Sequence, residues 1–424
     1  MRAMKKNPTL YHNVTCPYCS LHCDDLTIQN HDGQLKVNKN GCQKAINQFE
    51  PVHVQVQPSI KNKKVTYDDA VIHASKLLRQ SRQLLITGLG TDVAGMRSVM
   101  QLADKTGAII DHMHSDGAIR NVKVMQDYGW VMTTLAEIKN RADLIIFAGT
   151  NSDNYPRFVE RVISNKSALF RTNVKQRQIV YIGDHLNIPA SKKHAGIKPV
   201  MINCKQDQIG EVVSTLRALI VGHKIKHPTV AGIPLANLET LASKMKEASY
   251  GVIVWAPGEL NFPHAELVIQ AICALIKYLN RSTRFAGFAL AGNDGGITAT
   301  NVSAWQCGYP LRVNFAKGFP EYDPYKYATK NILKRKEADT LMWLSSFNTD
   351  IPPPKARIPT IILAAPSIKL RFRPDVFIPV GTPGVDHTGQ LFRTDSVVAL
   401  PLKKIRDTGY TSVSKTISSM LELL

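Results

Sequence analysis

Residues 83–107, QLLITGLGTDVAGMRSVMQLADKTG, contain the local unit from which the fold follows. The first part, residues 83–91, is an apolar run that ends in small residues. Apolar runs of this length are typical of strands that are buried on both faces of a parallel sheet. The second part has apolar residues at helical spacing, with Thr91 or Asp92 as the cap and Gly107 as the stop. The stretch therefore predicts a buried strand followed by a helix.

The same pattern recurs along the chain, and the copies alternate with stretches of helical period. The further copies are residues 143–151, 178–185, 251–259, 339–350, 360–366 and 376–383. Such alternation predicts an α/β fold with right-handed crossovers. Ligands of these sheets bind beyond the carboxyl ends of the strands, so the strand ends GLGT and FAGTN are candidate phosphate or nucleotide cradles. Glycine after a strand also makes ordinary turns, and that alternative remains open.

The length of the chain, 424 residues, predicts more than one domain, because single cores stop growing near ~250 residues. No stretch approaches the ~18 consecutive apolar residues that a membrane span needs. The N-terminal sequence lacks the apolar segment and cleavage site of a signal peptide. We therefore expect a soluble, cytoplasmic protein without a membrane partner.

Lysine and arginine outnumber aspartate and glutamate by 53 to 33, which gives a net charge of +20. Such an excess favours acidic partners electrostatically. The basic residues are spread along the chain in short clusters, and the sequence contains no nucleic-acid-binding motif. We therefore expect an acidic protein or an acidic carrier molecule as the partner, and no nucleic acid.

The N-terminal segment contains four cysteines, Cys16, Cys19, Cys23 and Cys42, with the spacing C-x2-C-x3-C-x18-C. Seven cysteines in all, with four in one tight set, do not suit a disulfide framework. A hairpin with its turn at HDG would return Cys42 to the other three. Four thiolates suit an iron–sulfur cluster or a tetrahedral zinc ion. The x3 gap favours iron–sulfur, while zinc and empty, reduced thiols remain alternatives.

These features divide the chain into four predicted parts with approximate boundaries. Residues 1–60 form a small β module with the four cysteines, residues 61–240 a first α/β domain and residues 241–380 a second. Residues 381–424 are rich in glycine and proline before they alternate. This last part predicts a segment that caps the ligand cleft and contains a final hairpin or strand pair.

Four stretches together resemble the B subunit of formylmethanofuran dehydrogenase. They are CPYCSLHCDDL with the following NGC, EIKNRADLIIFAGTNSDNYPR, ATNVSAWQCGYPLRVNFAKGFPEYDP and GQLFRTDSVVALPLK. The resemblance extends over nearly the whole chain. It implies the molybdopterin oxidoreductase fold, in which an N-terminal [4Fe-4S] module precedes doubly wound parallel sheets that hold a bis-pterin molybdenum or tungsten centre.

The resemblance also indicates where the pterin cleft would lie. The stretch GTNSDNYPR resembles the pterin-contacting loop of the family through Gly149, Asn151 and Pro156, and Gly88 and Gly90 of GLGT complete the cleft. If the metal ligand is absent, these residues serve to shape the strand ends instead.

The resemblance fails at the metal centre. The chemistry of the family needs a thiolate or selenolate that binds the metal, with acid–base and cationic side chains that handle formate. The positions that correspond to the metal ligand, a histidine and an arginine are Gly117, Ala118 and Ala291. None of these residues can bind a metal, transfer a proton or pair with a carboxylate. We therefore expect no molybdenum or tungsten pterin and no activity of the chain's own.

Relatives with this loss are similar to the B subunit of the bacterial formyltransferase/hydrolase complex of methylotrophs. The resemblance then implies a non-catalytic scaffold whose partners are an A-type zinc amidohydrolase, a C-type subunit and a D-type formyltransferase. The pathway oxidises formaldehyde-derived carbon to formate through tetrahydromethanopterin and a methanofuran or methylofuran carrier. Such carriers bear glutamyl residues, which a positively charged chain would attract. A catalytic dehydrogenase subunit with a metal pterin and a free-standing iron–sulfur or zinc module remain the alternatives.

The stretch HMHSD contains a further set of candidate ligands. His112, His114 and Asp116 alternate, so an extended strand would turn all three side chains to one face, where they could bind a metal. The alternative is that these side chains are a polar replacement of the lost metal pocket.

Overall fold

The computed structural model describes residues 7–164, 168–170, 176–184, 186 and 196–424. Strands and helices alternate through these residues, which confirms the predicted α/β class. Residues 1–6 of the predicted N-terminal module and His185 at the end of a predicted strand lie outside the described residues. No helix among the described residues is long and apolar enough to cross a membrane. The cytoplasmic location stays a prediction.

The strands that the apolar runs predict are present and almost entirely buried; they are Leu84–Gly90, Leu144–Ala148, Gln178–Ile182, Gly251–Trp255, Thr340–Ser345, Thr360–Ala364 and Val376–Pro379. In chain order the strands are β1 (Thr9–Val14), β2 (Leu26–His31), β3 (Gln34–Lys39), β4 (Ser59–Ile60), β5 (Lys63–Lys64), β6 (Leu84–Gly90), β7 (Ile109–Ile110), β8 (Leu144–Ala148), β9 (Gln178–Ile182), β10 (Val200–Ile202), β11 (Thr229–Val230), β12 (Ile233–Pro234), β13 (Gly251–Trp255), β14 (Phe285–Ala289), β15 (Val313–Asn314), β16 (Glu321–Tyr322), β17 (Thr340–Ser345), β18 (Thr360–Ala364), β19 (Val376–Pro379), β20 (Gly389–Phe392) and β21 (Ala399–Leu402).

The helices are mostly two to four turns long. They are α1 (Gln43–Phe49), α2 (Tyr67–Gln80), α3 (Val93–Thr106), α4 (Ser115–Asp127), α5 (Leu135–Arg141), α6 (Ile209–Val221), α7 (Leu235–Glu247), α8 (Ala265–Leu279), α9 (Gly296–Cys307), α10 (Thr329–Arg335) and α11 (Val413–Glu422). The predicted ends of α3 are confirmed: the Asp92 side chain accepts a hydrogen bond from the Gly95 amide, and Gly107 ends the helix in the left-handed region at φ 66°.

The chain forms two compact units. Unit 1 comprises Met1–Ser115 and Gly292–Leu424, and unit 2 comprises Asp116–Ala291. These limits differ from the predicted boundaries near residues 60, 240 and 380. The reason is topological, because β17, β18 and β19 from the later part of the chain join the sheet that contains β6. Unit 2 is therefore inserted between the two segments of unit 1, which local sequence patterns do not reveal.

Unit 1 contains a mixed sheet whose order, within the described residues, is β16-β15-β7-β6-β17-β18-β19-β4-β5. Its central strands, from β7 to β19, run parallel. Helices α2, α3 and α11 cover the sheet, and their apolar faces join one buried core with β6, β17 and β18. Helix α11 was not predicted from the sequence. The antiparallel pair β20–β21 confirms the predicted final hairpin.

The N-terminal part of unit 1 is an antiparallel sheet in the order β1-β2-β3. Asp32 and Gly33 connect β2 to β3 with φ values of 49° and 86°. Two consecutive positive φ angles are typical of the tight turns that suit a hairpin. The predicted HDG hairpin is thus confirmed, and Cys42, which follows β3, is the N-cap of α1.

Unit 2 contains a parallel sheet, which within the described residues has the order β10-β9-β8-β13-β14. The chain adds β9 and β10 on one side of β8 and then returns to add β13 and β14 on the other. The strand order therefore reverses between β8 and β13. In doubly wound sheets the ligand crevice lies at this reversal, beyond the carboxyl ends of the two strands.

A buried ion pair connects three elements at one end of the unit 1 sheet. Asp111, which follows β7, accepts a hydrogen bond from Nε of Arg312 at 3.2 Å. Its second oxygen accepts bonds of 2.8 Å from the backbone amide and from the hydroxyl of Thr329, the first residue of α10. The Arg312 side chain is only 6% exposed and also donates to the carbonyl of Pro324. The carboxylate thus fixes both β15 and α10 relative to β7.

We expect Asp111→Ala to lower the free energy of unfolding by about 3–5 kcal/mol, because the substitution leaves a buried guanidinium without its carboxylate. Denaturant titration followed by tryptophan fluorescence measures the loss. The matched control is Asp350→Ala, which removes an exposed pair with Lys369 and should cost less than about 1 kcal/mol. Equal losses in the two variants would contradict the role assigned to Asp111.

Candidate functional site

The strand reversal in unit 2 contains a cavity of about 690 Å³. Gly149 and Asn151 line it from the carboxyl end of β8, as the sequence predicts, whereas Pro156 is not part of its lining. Among the described residues, the charged groups of the lining are three carboxylates and one ammonium group; they are Asp184, Asp207, Glu259 and Lys205. The cavity is therefore predominantly acidic.

This charge pattern does not suit a phosphate-bearing cofactor such as a molybdopterin. Phosphate sites are built from backbone amides, helix N-termini and basic side chains. Among the described residues, Asp184, Asp207 and Glu259 would repel a phosphate, and Lys205 is the cation that would attract it. The described lining of this cavity therefore does not suit the phosphate of a pterin cofactor.

The loop that follows β8 is shaped by its own contacts. Gly149 has a φ of 69°, and a Cβ there would lie 2.7 Å from the side chain of Leu260. Asn151 donates to the Asp153 carboxylate at 2.6 Å and accepts from the Asp153 amide at 2.9 Å. Ser152 between them has a positive φ of 60°. These interactions fix a tight turn at the strand end, which agrees with the structural alternative for this loop.

The predicted cradle at GLGT lies in unit 1 and is closed by packing. A Cβ on Gly88 would collide with the backbone of Leu344 in β17, and one on Gly90 would lie 3.3 Å from Cα of Ser345. The N-terminus of α3 beyond them is capped by the buried carboxylate of Asp92. Burial raises the pKa of Asp92. Gly88 and Gly90 thus allow close approach of two strands, and an acid occupies the place where a phosphate would bind.

Gly117 lies in the first turns of α4, where its backbone packs against the loop that follows β13. A Cβ at residue 117 would lie 2.9 Å from Cα and 3.0 Å from N of Gly258. Such distances are too short for any side chain unless the Gly258 backbone moves. Arg120, one turn later in α4, donates to the Pro257 carbonyl at 2.6 Å and holds that loop in place. The position at which the resemblance puts the metal ligand is therefore closed to a cysteine.

Ala118 and Ala291, the other two positions at which the resemblance predicts a lost functional residue, also lack reactive side chains. Ala118 is half-buried in α4, and Ala291 is half-buried in the segment between β14 and α9. Each offers only a methyl group, so neither can transfer a proton or bind a carboxylate. Like Gly117, these residues offer none of the groups that a formate-converting metal centre requires.

HMHSD does not form the extended strand that the metal-binding alternative requires. Strand β7 ends at Ile110 and α4 begins at Ser115, so His112 and His114 lie in the connection and Asp116 lies in the helix. The alternation fails because the two-residue strand ends before the histidines. A face with three ligands therefore does not form.

The two histidines instead contact Asp294, a residue that sequence reasoning missed. Nε2 of His114 lies 2.7 Å from Oδ2 of Asp294, and Nε2 of His112 lies 3.1 Å from its carbonyl oxygen. The His114 amide donates to Nδ1 of His112 at 3.0 Å, so the proton of His112 belongs on Nε2. Asp294 has a positive φ of 55°. The only signal for it in the sequence is an acid flanked by glycines in GNDGG.

Burial controls the charges of this cluster. It lowers the pKa of His112 to about 4, with a smaller contribution from His114. Burial alone would raise the pKa of Asp294, but the hydrogen bond and charge of His114, with Lys44, lower it. The cluster therefore contains a neutral His112 and an ionised Asp294. This arrangement matches the polar replacement of a lost pocket, which was the alternative for HMHSD.

The cysteine loop lies in unit 1 and is largely buried. Cys16, Cys19 and Cys23 are about 5% exposed or less, and Cys42 is half-buried. The Cys16 amide donates to the Cys23 carbonyl at 2.8 Å, and Nδ1 of His22 lies 3.0 Å from the Cys16 carbonyl. The loop is thereby folded so that its thiols face the interior of the N-terminal module.

The thiols are close enough to affect one another. Burial, followed by the charges of Cys19 and Cys23 and then that of Cys42, raises the pKa of Cys16 well above its ordinary value. Burial and Cys23 raise the pKa of Cys19 to about 12. Such thiols ionise only when a cation compensates their charge, which is what a metal centre would provide.

A zinc site and an iron–sulfur cluster require different distances between their sulfur ligands. Across the described part of the chain, no three histidine, cysteine, aspartate or glutamate side chains converge on a point that could hold a metal ion. A tetrahedral zinc would require its sulfur ligands to lie about 3.8 Å apart, given Zn–S bonds of about 2.3 Å. An iron–sulfur cluster instead distributes the cysteines over separate iron atoms, so it needs a wider set. The metal that the four cysteines would hold therefore stays a prediction.

Comparison with known proteins gives relatives of two kinds. No family model matches the chain. The B subunit of tungsten-containing formylmethanofuran dehydrogenase 2 from Methanocaldococcus jannaschii is 27% identical, over 93% of this chain and 93% of that protein. The B subunit of the formyltransferase/hydrolase complex Fhc from Methylorubrum extorquens is 28% identical, over 78% of this chain and 87% of that protein.

A solved structure gives the same assignment. It is the formyltransferase/hydrolase complex FhcABCD of Methylorubrum extorquens with methylofuran, one chain of which superposes with a TM-score of 0.74 and 26% identity. The match covers 86% of this chain and 98% of that one. Similarity over nearly the full length in sequence and in fold confirms the resemblance on which the site residues were assigned. The chain is a homologue of the B subunits of formylmethanofuran dehydrogenase and of the formyltransferase/hydrolase complex.

Proposed function

We propose that this chain is a non-catalytic scaffold subunit of a formyltransferase/hydrolase complex. The complex would act on formyl-methanofuran or formyl-methylofuran in the tetrahydromethanopterin-linked oxidation of formaldehyde to formate. The observation that carries the proposal is the contact between Gly117 and the backbone of Gly258. A metal-ligating side chain has no space there, so the redox reaction of the dehydrogenase relatives would have no ligand for its metal.

The acidic cavity supports the same proposal by an independent route. A molybdenum or tungsten pterin would have to place its phosphates near Asp184, Asp207 and Glu259, which is electrostatically unfavourable. A catalytic dehydrogenase subunit is therefore the weaker hypothesis for this chain, although relatives with that name have similar identity.

We infer that the partners are an A-type amidohydrolase, a C-type subunit and a D-type formyltransferase. The solved structure with the same fold belongs to the complex FhcABCD, which supports a multi-subunit setting. The net charge of +20 would attract an acidic protein or a carrier with glutamyl groups. Methylofuran in the related structure is the precedent for such a carrier.

Unit 1 presents a set of exposed aromatic side chains that suits contact with another protein of the complex. We define this aromatic face by Trp305 and Tyr309, which lie four residues apart at the C-terminal end of α9 and are 62% and 39% exposed. The Trp305 ring packs edge-on against Phe392 at 5.0 Å and is thereby held in one position. Large, fixed aromatic side chains are enriched among the residues that dominate protein interfaces. The aromatic face is our candidate for the contact with a partner.

For the cysteines we propose a [4Fe-4S] cluster that stabilises the N-terminal module, with zinc or free thiols as alternatives. Binding energy of a metal centre is folding energy when the site exists only in the folded state. The loop also lies beside the segment that carries Asp294, because the Ser20 amide donates to Oδ1 of Asn293 at 3.1 Å. A cluster at this place would therefore rigidify the start of α9 as well as the module itself.

The first test of the function is metal analysis of the purified complex. We expect far less than one molybdenum or tungsten atom per chain and no formate-dependent reduction of a dye, because Gly117, Ala118 and Ala291 supply no ligand or acid–base group. Stoichiometric molybdenum or tungsten together with dye reduction would refute the scaffold proposal.

Two cysteine variants of α4 test whether residue 117 is closed to a metal-ligating side chain. Gly117→Cys should bind neither metal and should melt at a lower temperature, because its Cβ would meet Gly258. The matched variant Ala118→Cys, at the next and half-buried position of α4, should melt close to the parent. If Gly117→Cys is as stable as Ala118→Cys, the position is not closed.

Cys19→Ser tests the metal site. We expect the variant to lose most of its bound iron and to unfold its N-terminal module at a lower temperature, because an oxygen is a poor ligand for an iron–sulfur cluster. Iron content and thermal unfolding measure the two effects, and formyl transfer and hydrolysis by the complex should continue wherever assembly persists. Cys204→Ser, a buried thiol outside the set, is the control and should keep its iron. Unchanged iron and melting in Cys19→Ser would indicate free thiols.

Trp305→Ala tests the aromatic face. We expect the variant to fold but to lose partner proteins on co-purification, because a central aromatic residue commonly contributes about 2 kcal/mol or more to an interface. Leu267→Ala removes another exposed apolar side chain, which is 58% exposed on α8 of unit 2, and should assemble normally. Full assembly of the Trp305 variant would exclude this face as the docking surface.

A further inference from the structure

A second cavity in unit 2, with a volume of about 450 Å³, has the opposite charge to the acidic one. It is formed by the C-terminal ends of α6 and α8 and by Tyr128, which follows α4. We call it the α6–α8 pocket. Its basic side chains are Arg217, His223, Lys277 and Arg281, and no carboxylate is among the described residues that line it.

The α6–α8 pocket is separate from the strand reversal already described. Helix α8 leads from β13 to β14, so its C-terminal end lies near the amino end of β14. The acidic cavity, in contrast, lies at the carboxyl ends of β8 and its neighbours. The two cavities therefore lie at opposite ends of the strands of the same sheet.

Aromatic rings and a carbonyl group orient two of the cations without neutralising them. Nζ of Lys277 donates to the Tyr128 carbonyl at 2.7 Å and lies 3.8 Å from the centre of the Tyr128 ring. The Arg281 guanidinium lies 4.8 Å from the centre of the Tyr278 ring. Cation–π contacts of this kind position a charge while leaving it positive.

The remaining two basic residues, Arg217 and His223, are exposed at the pocket. None of the four basic residues forms an ion pair with any residue that the structure describes. A cluster of two arginines, a lysine and a histidine around one cavity carries a repulsion that an anion would relieve.

Helix C-termini often attract basic residues for a structural reason, since cations there pair with the last carbonyls of the helix. Carbonyls near both helix ends already have donors here. Gly222 and His223 donate through their amides to the carbonyl of Ala218 in α6, and Asn280 donates through both its amide and its side chain to Ile276 in α8. One carbonyl near the end of each helix is therefore satisfied without a basic side chain.

We propose that the α6–α8 pocket binds a small polyanion with at least two phosphate or carboxylate groups. The volume of about 450 Å³ lies within the range of about 300–1,000 Å³ that is usual for small-molecule sites. Ser214, also in the lining, offers a hydroxyl donor to such a group. The proposal is independent of the scaffold function, because it requires only unit 2 of the chain.

The test is calorimetric titration of the purified full chain with inorganic pyrophosphate and, in a second arm, with citrate. We expect saturable binding of one anion per chain that weakens as salt is raised. Stronger binding of pyrophosphate would indicate a phosphate ligand, and stronger binding of citrate a carboxylate ligand. Absence of saturable binding in both arms would overturn the proposal.

Variants show whether the pocket is the site. The double variant Arg217→Gln, Lys277→Gln should weaken binding at least tenfold. The control is Lys224→Gln, Lys226→Gln, which removes the same charge from positions that do not line the pocket and should bind like the parent. Because Lys277 also contacts Tyr128, Arg217→Gln alone replaces the double variant if the latter does not fold.

Two outcomes of the variant series would overturn the proposal. Equal weakening by the control pair would mean that the anion binds to surface charge in general. Loss of a partner protein from the pocket variant, with anion affinity unchanged, would mean that the pocket is a protein interface.

Discussion

The backbone of Gly258 lies where a side chain at residue 117 would begin, and this steric constraint determines what unit 2 can do. The close approach is possible because residue 117 has no Cβ, and Arg120 strengthens it by donating to the carbonyl of Pro257. A sheet that could hold a metal cofactor in a crevice has here a helix packed directly against the loop of a neighbouring strand. The same contact closes the position at which the resemblance puts the metal ligand, so the packing itself supports the proposed absence of a metal centre.

Electrostatics point in the same direction as sterics. In unit 2 the strand-end cavity is lined by Asp184, Asp207 and Glu259, while in unit 1 the N-terminus of α3 is capped by the carboxylate of Asp92. Both are places where doubly wound folds commonly receive phosphate groups. A single acid would be weak support, but acids at both places favour the proposal that this chain binds no phosphate-bearing cofactor. The fold can persist because its helices and sheets bury their own cores without the cofactor.

The sequence predicts features that local forces determine. The buried strands, the caps of α3 at Asp92 and Gly107, and the hairpin turn at Gly33 depend on residues close in the chain, and each is present. Features that arise from distant contacts were not predicted. Unit 2 is inserted into unit 1 through strand pairing, and Asp294 meets His114 across 180 residues. The α6–α8 pocket has no local signal in the sequence, because its four basic residues come from two helices and the segments that follow them.

The cysteine module could outlast a redox centre because its contribution to stability does not depend on electron transfer. The thiols of Cys16, Cys19 and Cys23 are buried, and burial makes ionisation of Cys16 and Cys19 unfavourable unless a metal compensates. Without the proposed cluster, the loop would have few apolar side chains of its own to hold it against the rest of unit 1. A requirement for the assembly of unit 1 would therefore maintain all four cysteines, even where no substrate or pterin exchanges electrons with them. This difference explains how one chain can keep four candidate ligands while residue 117 is closed to a metal ligand, since the proposed cluster would stabilise the fold whereas a pterin metal would serve only catalysis.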